Sequence, residues 1–265
     1  MPDYLYHYTD LNTLALILKH KKLRFNCLNR VDDLNEGIAR DLDEIGQYFF
    51  VSCWTDKEEE SIPFWSMYTN DMKGVRIKLP RFPFELHNVD EIEIDGLENN
   101  LEESIHSPIV LQYEDYVPLP FKNEELLQEV NYTDDEDLLF PKIRYVDLEE
   151  SNLQVKLNLI GKHKRKEWRF QSEWRYIIKA YPLGLKEIEK YGLNFGSAIL
   201  SSLLSGKRIS IDEYYLDLDK EKIKDMEIVL GPKTDEGDEI IVKSLVNKFN
   251  SEAKIRMSSL RGEIR

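Results

Sequence analysis

Alternation along two short polar and aromatic segments constrains this chain more than any other feature. In Leu5-Tyr6-His7-Tyr8-Thr9 the two-residue period of a strand puts Leu5, His7 and Thr9 on one face and Tyr6 and Tyr8 on the other. From Gln171 to Lys179 the same period aligns Gln171, Glu173, Arg175, Ile177 and Lys179. A histidine and a carboxylate carried on strands can meet in one cleft, and such a cleft is where function is to be sought.

The remaining pattern alternates strands and helices. Asp10 is placed to cap a helix whose apolar residues Leu11, Leu14, Ile17 and Leu18 recur at helical spacing, and Leu23 to Phe25 then read as extended. A polar turn, Asp32-Asp33-Leu34-Asn35-Glu36-Gly37, precedes an expected helix around Ile38 to Gly46 and a strand from Tyr48 to Trp54, on which Ser52 and Trp54 share a face. Pro63 suits the first turn of a helix through Trp65 and Tyr68, and Val75 to Leu79 alternate as a strand that Pro80 and Pro83 stop. Residues 85–141 are rich in acids and read as an insertion of loops and peripheral helices. From Ile143 a helical period is expected, with a basic run, Lys162 to Lys166, just before the Glu173 strand. The end reads as a strand, Met226 to Leu230, a helix from Asp238 to Phe249 and an edge strand, Ala253 to Met257. One domain over residues 1–265, of class α+β, with a mixed and mostly antiparallel split sheet flanked by helices, accommodates this order.

Charge narrows the partners. With 50 acidic against 36 basic residues the net charge is -14, which on average repels polyanions and anionic membranes and argues against nucleic acid as ligand. A hydrophobic content of 42% supplies a full core. Cys27 and Cys53 are too few for a disulfide framework and sit in apolar runs, as free thiols do in a reducing compartment. No basic leader and no apolar run of membrane-spanning length is present, so a cytoplasmic protein without a membrane partner is expected.

The ordered set Tyr6-His7-Tyr8-Thr9, Leu23-Arg24-Phe25, the turn ending in Glu36, Phe50-Val51-Ser52-Cys53-Trp54, Trp65-Ser66-Met67-Tyr68 with Gly74, Trp168, Glu173-Trp174-Arg175 and Ile228-Val229-Leu230-Gly231-Pro232 resembles a prokaryotic family of unknown function. More loosely, the opening resembles ADP-ribosyltransferase-like toxins. That second resemblance implies NAD as substrate, with His7 on a ribose hydroxyl, one of Trp54, Trp65 or Tyr68 on nicotinamide and Glu173 on the nicotinamide ribose. Gln171 matches the first position of the Gln/Glu-x-Glu pattern. Tyr8, Thr9 and Ser52 complete the candidate cofactor-binding set, and Arg175, Lys164 and Arg165 are placed to neutralise a pyrophosphate. Cleavage at the nicotinamide bond develops positive charge on the sugar, which a carboxylate such as Glu173 stabilises. No glycine-rich phosphate loop is present, so NAD would bind by this route alone.

The resemblance therefore implies an ADP-ribosyltransferase-like enzyme or NAD glycohydrolase, in the setting of a toxin or phage-defence effector, with an acceptor macromolecule unspecified. Two other classes stay open: a non-catalytic module of the same fold that binds a nucleotide or protein, and a nuclease effector. Each residue also has a plain structural alternative. His7 suits a core edge, Glu173 and Arg175 a salt bridge between alternate positions of a strand, the tryptophans the core, and Lys162 to Lys166 a solvated helix face. Asp32, Asp33 and Glu36 read better as a turn and cap than as a metal site.

Overall fold

The computed structural model describes residues 1–88, 106–109, 115–120, 122–147, 152–191 and 195–264. Strand β1 (Tyr4–Thr9) leads into helix α1 (Leu11–His20), and β2 (Lys22–Cys27) follows at once. Asp10 ends β1 and starts α1, because its Oδ1 accepts the Thr13 N–H at 2.6 Å and satisfies a donor that the first helical turn cannot. Lys21, left-handed at φ 54°, closes the other end, its N–H reaching the Ile17 carbonyl. Between these caps α1 buries Leu14, Ile17 and Leu18, each worth about 1.5–3 kcal/mol relative to exposure. The helix thus binds the strands on either side of it to one core.

Strand β3 (Phe49–Thr55) is the axis of the sheet. Helix α2 (Ile62–Tyr68) starts at Ser61, whose Oγ accepts the Phe64 N–H, with Pro63 in the first turn, and β4 (Val75–Pro80) follows. Gly74 has no room for a side chain: a Cβ there would lie 2.2 Å from the Thr9 carbonyl oxygen, which is how closely β4 approaches the end of β1. The later strands that frame the sheet and the site are β5 (Val117–Leu119), β6 (Leu127–Glu129), β7 (Asn131–Thr133), β8 (His163–Arg165), β9 (Glu173–Tyr181), β10 (Glu213–Asp217), β11 (Glu227–Leu230) and β12 (Lys254–Met257). Helix α3 (Glu236–Phe249) lies between the last two and packs on α1.

Among the described residues ten strands form one sheet, running β10-β2-β3-β1-β4-β11-β12, with β9 on β3 and with β5 and β6 on β9. Every pairing in it is antiparallel except β11 with β12. The sheet is split at β3. One edge of β3 pairs with β9 along its whole length, from Phe49–Lys179 to Thr55–Glu173. The other edge is shared: Phe50 and Val51 pair with β2, Thr55 pairs with Tyr6 of β1, and the residues between belong to neither ladder. The α+β class and mostly antiparallel sheet expected from the sequence are therefore observed.

Several local expectations are corrected. No helix forms around Ile38 to Gly46. Gly37 (φ 73°) and Glu44 (φ 52°) are left-handed, Arg40 N–H bonds the Pro141 carbonyl, and the Asp41 carboxylate takes the N–H groups of Ile143 and Arg144, so tertiary partners replace helical ones. Only a 3₁₀ turn, Ile45–Tyr48, survives there. Beyond Ile143 the chain forms an antiparallel hairpin, Arg144–Asp147 with Asn152–Val155, in place of a helix. The basic run lies on no solvated helix face: β8 pairs parallel with β7, and Lys164 within it is buried. Gln171 ends a 3₁₀ turn, Lys166–Gln171, outside the strand on which alternation placed it. In the acidic segment, β5 and β6 add to the free edge of β9. Residues 89–105, 110–114 and 121 of that segment lie outside the described residues.

Candidate functional site

Where the sheet splits, a backbone carbonyl lacks a ladder partner, and a side chain supplies one. His7 Nδ1 lies 2.8 Å from the Cys53 carbonyl oxygen. A carbonyl only accepts, so Nδ1 carries the proton and the neutral ring offers Nε2 as an acceptor. Burial in the cleft lowers the pKa of His7, against the opposing pull of the Cys53 carbonyl, and keeps the ring in that state. Trp54 packs against the imidazole with ring centres 5.0 Å apart, while its own Nε1–H donates to Ser52 Oγ at 3.0 Å.

The gap opens into a cavity of about 670 Å³ whose walls include His7, Trp54, Tyr68, Lys164, Gln171 and Glu173. The volume is within the range of small-molecule sites. Two residues so far apart in sequence as His7 and Glu173 thus line one pocket. Tyr8, Thr9 and Ser52 line it as well.

Glu173 belongs to a buried quartet of charges. Its Oε1 accepts from Arg175 Nε at 2.7 Å and its Oε2 from Lys164 Nζ at 2.8 Å. Glu36, from the turn after β2, completes the set: Oε1 lies 3.0 Å from Lys164 Nζ and Oε2 lies 2.5 Å from Arg175 Nη1. Gln171 Oε1 accepts from Lys164 Nζ at 2.9 Å, and its amide nitrogen donates to the Tyr68 hydroxyl at 2.5 Å. The ammonium thus donates to Glu173 and Gln171 and keeps a close charge contact with Glu36, whose Oε1 is buried without a hydrogen-bond partner. Behind the quartet the Glu173 N–H donates to Tyr132 Oη at 2.8 Å. Burial pushes the Glu173 carboxyl up, but Arg175 and Lys164 outweigh it and hold its pKa below the usual carboxylate range. Burial pulls Lys164 down, and Glu173 and Glu36 more than restore it. Both groups stay charged. Burial, with Asp32 next, raises the Tyr68 phenol, and burial pushes Tyr132 up to about 12.

Three candidates fall outside the cavity lining. Trp65 is fully buried against Tyr8 and donates its Nε1–H to Glu60 Oε2. Arg175 is wholly enclosed behind Glu173. Arg165, on β8, points away from the pocket that Lys164 lines, as the two-residue period requires. Lys164 itself is buried and held by Glu173, Gln171 and Glu36. Further cations line the cavity from the other wall: Lys22 and Arg24 on β2, and Arg30 just beyond it. They are partnered by Asp217, Glu213 and Asp212 at 3.3, 3.3 and 2.8 Å, in pairs left substantially exposed. The pattern of β2 could have shown Lys22 and Arg24 on one face, opposite Leu23 and Phe25. Glu36 gave no signal beyond its place in a polar turn, where Asp33 is the residue that makes the turn, accepting the Asn35 N–H.

A family model described as a protein of unknown function, DUF2971, matches residues 64–176. That span holds Tyr68, Tyr132, Lys164, Gln171, Glu173 and Arg175, and stops short of His7 and Glu36 on the N-terminal side. No curated protein and no solved structure matches the chain. Among the described residues no helix is long and apolar enough to cross a membrane.

Proposed function

We propose that the cleft takes a dinucleotide of the NAD type and breaks the bond between its nicotinamide and ribose, passing the ADP-ribosyl group to water or to an acceptor. The observation that carries this reading is the meeting of His7 Nε2, an acceptor of fixed tautomer, with the Glu173 carboxylate in one cavity at the split of the sheet. An acceptor nitrogen suits a ribose hydroxyl. An ionised carboxylate suits the charge that develops on the sugar as nicotinamide leaves. A carboxylate has about four acceptor positions, and the protein's cations take Oε1 twice and Oε2 once. The Cys53 thiol on the cavity wall also bonds this carboxylate, and a substrate hydroxyl would take the place of that thiol. Trp54, Tyr68 and Phe64 give the flat surfaces among which a nicotinamide ring would pack.

The phosphates belong on the β2 wall in this reading, near Arg24, Lys22 and Arg30, and not on Lys164, Arg165 or Arg175. Exposed ion pairs of this kind hold their cations by about 1 kcal/mol or less, so a pyrophosphate can compete for them. The resemblance to toxins makes a toxin or phage-defence effector acting in the reducing cytoplasm the setting that fits, with two free cysteines in keeping.

A second reading rests on the closed quartet. Two carboxylates against two cations, all of them buried, make a stable floor for a pocket that binds a nucleotide without turning it over. Incubation of the pure protein with NAD, with nicotinamide release followed by chromatography, separates the two. Release by the wild type, lost in Glu173→Gln, is the expected result. Saturable binding by calorimetry without release favours the binding module, and neither binding nor release overturns the dinucleotide reading.

A further inference from the structure

Gln171 is fully engaged, its carbonyl on Lys164 and its amide on Tyr68, so it has no group free to activate an acceptor. The cavity nevertheless holds a second carboxylate. Asp32 lines it from the turn after β2, is exposed, and lies beside the Tyr68 hydroxyl, which links it through Gln171 and Lys164 to Glu173. The two acids differ in environment. Glu173 is buried and held by two cations, whereas Asp32 is open to solvent and forms no ion pair among the described residues. Paired carboxylates in unlike surroundings are how sites divide charge stabilisation from proton transfer.

We propose that Asp32 is the general base of the site, taking the proton from the water or hydroxyl that attacks the ribose. This assignment rests on the NAD-cleaving reading above and adds the acceptor side to it. The bond from ribose C1′ to the nicotinamide nitrogen breaks, and its electron pair leaves with neutral nicotinamide. The acceptor oxygen bonds to C1′, and its proton passes to the Asp32 carboxylate, from which solvent removes it. Tyr68 orients Asp32 as a donor, and is itself fixed as an acceptor by the Gln171 amide. No oxidant or metal is required by the balance.

Asp32→Asn keeps the side chain's shape and removes the base. With NAD and water the variant is expected to lose about 100-fold or more in kcat, while its NAD affinity by calorimetry stays within about threefold of the wild type, a change of under 1 kcal/mol. Azide attacks without needing deprotonation. It should therefore restore turnover in Asp32→Asn, with ADP-ribosyl azide as product, and fail to do so in Glu173→Gln. Wild-type turnover in Asp32→Asn, or a loss that azide leaves in place, overturns the base assignment alone. Absence of nicotinamide release from the wild type overturns the cleavage reading, and the base falls with it.

Discussion

Removing one charge from the quartet tests whether it is a single electrostatic unit. Glu36→Gln keeps the size of the side chain and leaves Lys164 and Arg175 sharing the one carboxylate of Glu173. All four side chains are between 0% and 5% exposed, so solvent cannot screen the surplus cation. Breaking a buried pair by removing one partner costs about 3–5 kcal/mol, mostly because the remaining charge is stranded. At about 2–4 °C per kcal/mol for a chain of this size, the midpoint should fall by about 6–20 °C. Urea denaturation at pH 7 measures the free energy, and a thermal melt the midpoint. Lys164→Met in the same chain removes the surplus charge and leaves Arg175 on Glu173, so the double variant should recover more than half of the loss. A cost below about 1 kcal/mol for Glu36→Gln, the scale of an exposed pair, or a double variant no better than the single, would refute the unit.

Protonation of His7 provides a second test. Its folded pKa lies below its ordinary value of 6.5, so between the two the unfolded chain binds more protons, and stability should climb with pH up to about 6.5 and then level. Urea midpoints between pH 5 and 8 should show that slope, and His7→Asn should flatten it. The depressed Glu173 carboxyl acts in the opposite range: its contribution is complete above the ordinary carboxylate value of 4.5 and is lost as pH falls through the folded value, so Glu173→Gln should reduce the acid sensitivity of the melt. For the phosphates, Arg24→Glu should weaken NAD binding by about tenfold or more by calorimetry, on the scale of one charge-assisted contact, whereas Arg165→Glu should leave it unchanged.

The strands that frame the cleft were legible because each carries a clean signal. Asp10 and Lys21 bracket α1, and the alternation of Leu5 to Thr9 and of Glu173 to Lys179 places the chemistry on the right faces. Convergence of His7 with Glu173 followed from those faces together. The basic run reads as a solvated helix face because most of its residues are cations such as the exposed Lys166, and nothing local says that Lys164 in the centre of such a run turns inward. It does so only because Glu36, Gln171 and Glu173 are waiting there, and each comes from a different element. Glu36 was hidden for the same reason: a turn acid and a buried counter-ion look identical until the partner strand is in place. The helix expected at Ile38 to Gly46 failed against Asp41, whose side chain caps backbone donors of a distant hairpin.

Strand β9 also separates two structural neighbourhoods. Its β3 edge faces the cleft, and its other edge receives β5 and β6 from the acidic segment. The β3 ladder holds Glu173 and Arg175 from one side, and the acidic segment reaches them from the other through β6, opposite Arg175, and through the Val130 N–H on the Glu173 carbonyl. Tyr132 adds a side-chain contact, its hydroxyl accepting the Glu173 N–H. Insertions and deletions upstream of Asn123 should therefore be neutral to ligand selectivity among relatives, while drift at Tyr132 should not be.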